Sequence, residues 1–66
     1  MNMVHVRSSM MTSVGYDAQT QQMTILFASG KRYTFCRVPS FIHAGLMSAY
    51  SKGRFYNDHI KDRYRC

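Results

Sequence analysis

Met23-Thr24-Ile25-Leu26-Phe27-Ala28-Ser29-Gly30-Lys31-Arg32-Tyr33-Thr34-Phe35-Cys36-Arg37-Val38 is the stretch that decides the fold. Apolar residues alternate on both sides of Ser29-Gly30, at Met23, Ile25 and Phe27 and again at Tyr33 and Phe35. That is the period of half-buried strands joined by a tight turn. A two-residue loop, Ser29-Gly30, sets Phe27 opposite Arg32 and Ile25 opposite Thr34. A three-residue loop, Ser29 to Lys31, sets Phe27 opposite Tyr33 and Ile25 opposite Phe35, and so gathers the apolar set on one face. A one-residue slip flips every side chain, so burial selects the longer loop. Gly30 then sits in its middle, although Gly usually takes the last position.

Working outward, Met10 to Tyr16 mixes β-branched and apolar residues and reads as an earlier strand. Ala18-Gln19-Thr20-Gln21-Gln22 follows as a polar loop or turn. Downstream, Pro39 ends the hairpin and suits the first turn of a helix. Phe41, Ile42, Gly45, Leu46, Ala49 and Tyr50 recur at helical spacing as an apolar stripe, with Ser40, His43, Met47 and Ser48 outside it. Gly53 reads as the helix stop, with Ser51 and Lys52 in the closing turn. Asn57 reads as the N-cap of a short second helix with Ile60 and Tyr64 on its inner face. The expected fold is α+β: a small antiparallel sheet of about three to four strands packed against one longer and one short C-terminal helix. Residues 1–66 form a single domain.

The charge is one-sided. In residues 1–30, Arg7 and Asp17 cancel. In residues 31–66, Lys31, Arg32, Arg37, Lys52, Arg54, Lys61, Arg63 and Arg65 face only Asp58 and Asp62, and carry the whole net charge of +6. Such a field attracts polyanions, so nucleic acid, nucleotides or an acidic protein surface are the partner classes to consider first. A chain of this length buries only about 60% of the surface that its unfolded form exposes, and self-association into a homodimer or higher oligomer would relieve that. The two cysteines, Cys36 and Cys66, are too few for a secreted disulfide framework and read as reduced thiols in a cytoplasmic protein. Met1-Asn2-Met3-Val4-His5 has no basic region followed by an apolar run, so it is not a signal peptide. No apolar stretch approaches the length of a membrane span.

A series of landmarks stands in fixed order: Val6-Arg7-Ser8-Ser9, Val14-Gly15-Tyr16-Asp17, Met23 to Gly30, Tyr33-Thr34-Phe35, Val38-Pro39, Ala49-Tyr50-Ser51-Lys52-Gly53, Asn57, Ile60 and Tyr64. The series resembles the KTSC family, named for a domain at the C-terminus of some lysyl-tRNA synthetases and found also as single-domain bacterial and phage proteins. The likeness runs from about Val4 to Tyr64. It implies RNA binding only by association with a tRNA-charging enzyme, and fold kinship alone does not transmit function. Two departures stand out. The family's central Tyr-x-Tyr is here Tyr33-Thr34-Phe35, without the second hydroxyl. Its Tyr-Phe before the Asn is here Phe55-Tyr56, in reversed order.

No catalytic constellation is legible. Glu is absent, and Asp58 and Asp62, four apart, balance Lys61 and Arg65. Ser8, Ser9 and Ser51 have no positioned base and acid and read as turn and cap residues. His5, His43, His59, Cys36 and Cys66 lack metal-ligand spacing, and no cofactor motif is present. Ser51-Lys52-Gly53-Arg54 lacks the spacing of a phosphate loop, though an anion would suit the helix end flanked by Lys52 and Arg54. Tyr33 and Phe35 are expected in the core. The chain therefore reads as a non-catalytic basic module. The expected ligand is RNA or another single-stranded nucleic acid, bound through phosphate contacts from Lys31, Arg32, Arg37, Lys52, Arg54, Lys61 and Arg63, with Tyr56 adding stacking. Two alternatives are an oligomeric phage- or defence-related protein sequestering a nucleotide or phosphate-bearing signal, and an interaction module docking on an acidic host protein.

Overall fold

A computed structural model describes residues 1–66. Four strands, β1 (Met3–His5), β2 (Met11–Asp17), β3 (Gln22–Phe27) and β4 (Arg32–Phe35), form an antiparallel sheet in the order β1-β2-β3-β4. Two helices follow, α1 (Ser40–Ser48) and α2 (Lys52–His59). The α+β architecture and its strand count match the expectation from sequence.

Each hairpin is held by turn chemistry. Between β2 and β3, Asp17 Oδ1 accepts from the Gln19 N–H at 3.0 Å, and Gln21 takes a left-handed φ of 60°. An Asx turn of this kind needs only a short polar side chain. Between β3 and β4, the Phe27 N–H donates to the Lys31 carbonyl at 2.8 Å, and the loop is Ala28-Ser29-Gly30 with Gly30 last at φ 93°. This corrects the expected register. Ile25 lies opposite Tyr33 and Met23 opposite Phe35, two residues from the expected pairing. A two-residue slip keeps every side chain on its face, so burial cannot detect it; the positive φ that only Gly adopts without strain decides.

One face of the sheet is the core. Val14, Met23, Ile25 and Phe35 meet Ile42 and Leu46 of α1 and Ile60 beyond α2. The opposite face has no helix over it and presents Met3, Thr24, Leu26, Arg32 and Thr34, with the Thr24 and Thr34 hydroxyls 3.0 Å apart. On this face a Cβ on Gly15 would sit 2.6 Å from Met3 Sδ, the far end of a flexible side chain that would have to shift to admit it.

The helices depart from expectation in their boundaries. α1 ends at Ala49, whose extended backbone breaks it. Ser51 is the N-cap of α2, its hydroxyl accepting from the Arg54 N–H at 3.3 Å. Gly53 therefore lies in the first turn of α2 and Asn57 in its interior, so neither stops nor caps a helix. Ser51 wins because its side chain satisfies an otherwise orphaned amide. The buried stripe of α1 is also narrower than expected: Ile42 and Leu46, four apart, are buried, whereas Phe41 and Tyr50 are exposed. Met47 packs against the core instead.

His43, expected outside, stacks on Tyr16 with ring centroids 4.5 Å apart, while the Tyr16 hydroxyl donates to the Val38 carbonyl at 2.6 Å. Burial lowers the His43 pKa from its ordinary 6.5. The unfolded chain then binds more protons just below that value, so the stability contributed by neutral His43 is complete above about pH 6.5 and falls as the pH drops through the window beneath it. Thermal melts from about pH 7 to about pH 5 are expected to show this fall, and His43→Phe, which keeps the stack, to flatten it. Superimposable pH profiles for the two proteins would remove His43 as the cause.

Candidate nucleic-acid interface

The tail is placed by its first residue. Ile60, fully buried, closes α2, and its N–H donates to the Tyr56 carbonyl at 3.0 Å. The chain then turns: the Lys61 N–H also reaches the Tyr56 carbonyl, at 2.9 Å, and Asp62 adopts a left-handed φ of 63°. Beyond the turn, the Tyr64 carbonyl accepts from the Cys36 N–H at 2.9 Å. Cys36 and Cys66 are disulfide-bonded with Cα atoms 4.8 Å apart. That corrects the expectation of two reduced thiols: Tyr64 pairing at the end of β4 brings Cys66 alongside. Residues 31–37 and 61–66, distant in sequence, thus form one side of the molecule along edge strand β4.

The expected cations divide into two groups. Lys52 is occupied, its Nζ donating to the carbonyls of Met47 at 3.0 Å and Ala49 at 3.3 Å, where it caps the C-terminus of α1. Arg54 faces Asp58 at 3.7 Å, an exposed pair of small energetic weight. Both lie at the opposite end of α2 from the tail. By contrast Lys31, Arg32, Arg37, Lys61 and Arg63 make no salt bridge or side-chain hydrogen bond within the chain. Arg32 projects on the helix-free face of the sheet beside Thr34, and Arg37 turns the chain out of β4 with a left-handed φ of 57°.

A cleft of about 390 Å³ opens between β4 and the tail, lined chiefly by Tyr33, Thr34, Tyr56, Lys61, Asp62 and Arg65. Its aromatic side is a supported row. Phe27 packs edge-on against Tyr33 (5.7 Å) and Tyr56 (5.2 Å), and Tyr56 against Phe35 (6.0 Å). Phe35 is a core residue as expected, but Tyr33 is 50% exposed. It shares the apolar face, yet β4 is the sheet edge and Tyr33 reaches past the cover that the helices give. Burial, the Asp62 carboxylate and then Tyr33 push the Tyr56 phenol above its usual pKa, so it stays protonated and able to donate. Asp62 accepts from the Arg65 guanidinium at 2.8 Å, and that bond holds its carboxyl below the usual range. Tyr56, expected from sequence as a stacking residue, lines this cleft. Tyr33, expected in the core, lines the cleft instead, and so do Asp62 and Arg65; the two-apart aromatics on a basic strand and the basic tail were the available signals.

The remaining chemistry-bearing side chains are dispersed. Ser8 accepts from the Met10 and Met11 amides at 3.1 and 3.3 Å in the β1–β2 connection, and Ser51 caps α2. His5 lies on β1, His43 on α1 and His59 beside Phe55 at 4.6 Å. No helix is long and apolar enough to cross a membrane.

The fold defines a small α+β module in which a four-strand antiparallel meander carries two helices on one face. The chain belongs to the KTSC domain family, whose profile matches residues 7–64. It is similar to the crystal structure of a KTSC domain protein from Yersinia pestis, with a TM-score of 0.93 at 36% identity, covering 96% of this chain and 89% of that one. It is 37% identical over 60 residues to a protein of Tsukamurella paurometabola, covering 91% of this chain and 90% of that protein. A lysine–tRNA ligase of Nostoc punctiforme is 35% identical over 57 residues, a match to 86% of this chain and 10% of the ligase. KTSC is not a known catalytic domain.

Proposed function

We propose that this chain binds single-stranded nucleic acid, RNA in the first place, through phosphate contacts along the β4 edge, and does so without catalysis. The observation that supports the reading is the set of unpaired cations on two segments joined by one backbone hydrogen bond. Lys31, Arg32 and Arg37 around β4 and Lys61 and Arg63 of the tail have no partner in the chain, and the Cys36 N–H to Tyr64 carbonyl bond links the two segments that carry them. A field of one sign with no internal neutralisation is the footprint of a polyanion site. Lys52 and Arg54 drop out of the contact set because they serve the helices. The relative that is a lysine–tRNA ligase supports RNA over DNA.

If about four phosphates are neutralised, log affinity for single-stranded RNA falls with log salt at a slope near −3. The test is fluorescence anisotropy of a short labelled single-stranded RNA at several salt concentrations, with duplex DNA as competitor. Arg32→Ala and Lys61→Ala are each expected to make the slope shallower by about 0.7, and Arg54→Ala to leave it unchanged. Absence of saturable binding at low salt, or equal slopes for all the variants, would overturn the reading. Displacement of the RNA by a stoichiometric amount of free nucleotide, so that a mononucleotide binds as tightly as the whole strand, would favour a sequestering pocket in its place.

A further inference from the structure

We propose that the cleft between β4 and the tail is a subsite for one nucleotide of the bound strand, with the base against Tyr33 and Tyr56 and its phosphate held by Lys61 and Arg65. The proposal rests on the nucleic-acid reading above and adds to it a place where a base is engaged. Phosphate tracking needs cations and no aromatic surface. Yet the aromatic row of the core does not stop at the core: on the same sheet face Met23, Ile25 and Phe35 are buried, while Tyr33, next along β4, is half in solvent. Its ring is not loose. Phe27 backs it edge-on at 5.7 Å and backs Tyr56 in the same way at 5.2 Å, so two phenol rings are fixed before a ligand arrives. A pre-ordered aromatic surface spares the ordering cost that binding otherwise incurs, and every base has a π-face to lay on it.

The polar side of the cleft fits the other half of a nucleotide. Lys61 carries an unpaired ammonium, and Arg65 is held in place by Asp62 at 2.8 Å. Against these two cations stands one carboxylate, so the cleft keeps a positive balance for a phosphate. Its volume of about 390 Å³ lies at the small end of ligand sites, which run from about 300 to 1,000 Å³. That is room for one base and its sugar. The hydroxyl of Thr34 is engaged with Thr24 and leaves the aromatic wall as the main contact. Selectivity among bases is therefore low, as stacking without edge readout gives.

The experiment compares two probes of equal length and charge: a labelled oligoadenylate and an abasic sugar-phosphate oligomer. Both are titrated with the full chain and with Tyr33→Leu, which keeps an apolar contact on Phe27. The wild type is expected to bind oligoadenylate about 5- to 150-fold more tightly than the abasic probe, the equivalent of one stacked base. Tyr33→Leu is expected to erase most of that preference while leaving abasic binding as it was. In parallel, adenosine 5′-monophosphate is expected to shift the Tyr33 and Tyr56 ring resonances of the wild type. Equal affinity of the wild type for the two probes, or equal weakening of both by Tyr33→Leu, would overturn the subsite and leave phosphate tracking standing. Binding of neither probe would take down both readings.

Discussion

Ile60→Ala is expected to lower the unfolding free energy by about 2–5 kcal/mol, the range for removing most of a buried Ile side chain. The side chain is fully excluded from solvent and is one of ten residues in the hydrophobic core. In so small a core there is little neighbouring structure to collapse into the gap, which puts the cost toward the upper half of the range. Stabilities of whole domains are only about 5–15 kcal/mol, and a chain of this size belongs at the low end. Urea melts followed by circular dichroism read the effect directly. In thermal melts each kcal/mol corresponds to about 4–8 °C for a domain of this length. Ile60→Val, which deletes one methylene, is expected to cost about 0.5–1.5 kcal/mol. A loss below 1 kcal/mol for the Ala variant would mean that α2 is not anchored through this residue. The same substitution reaches the binding surface, because Lys61 and the turn at Asp62 hang from Ile60 through the Tyr56 carbonyl. RNA affinity is therefore expected to fall with stability, whereas Arg32→Ala lowers affinity alone.

What the sequence discloses, and what it withholds, follows from the range of each interaction. The faces of β3 and β4 are legible because alternation reports parity, and parity is what burial selects. The register itself is not, since Ile25 against Tyr33 and Ile25 against Phe35 expose the same faces; only the conformation that Gly30 requires separates them. The α1–α2 boundary carries two competing signals, a glycine that can stop a helix and a serine that can start one. The hydrogen bond from the Arg54 amide to Ser51 resolves them. Helical periodicity overstates the buried stripe, because nine residues of α1 offer the sheet only the Ile42–Leu46 ridge. For the binding surface, the imbalance of charge between the two halves is plain in the composition. The proximity of the two basic segments is not, for it depends on one long-range pairing, Cys36 with Tyr64, that no local pattern encodes. That pairing also sorts the cations, joining Lys61 and Arg63 to the hairpin while Lys52 and Arg54 stay behind at the far end of α2.

Opening the Cys36–Cys66 bond, by reductant or by Cys66→Ser, is expected to cost about 3–4 kcal/mol of stability. The two residues are 30 apart in sequence, and closing a loop of about that size removes roughly this much chain entropy from the unfolded state. The folded state should barely change, since the tail has other holds: Ile60 is in the core, Tyr64 packs against it, and the Cys36 amide bonds to the Tyr64 carbonyl at 2.9 Å. The two consequences therefore separate. Stability drops by an amount comparable to a core truncation, while RNA affinity measured well below the unfolding midpoint stays within a few-fold, because Lys61 is placed upstream of the bond and Arg65 is oriented by Asp62. Cys66 is exposed, so a reductant has access to it. Melts of the wild type with and without reductant, beside Cys66→Ser in both conditions, test the bond specifically: reductant should bring the wild type down to the variant and leave the variant where it was. A wild-type midpoint that ignores reductant would show that the bond adds nothing to stability. A fall in RNA affinity as large as the fall in stability would show instead that the bond, rather than Ile60 and Tyr64, holds the tail against β4.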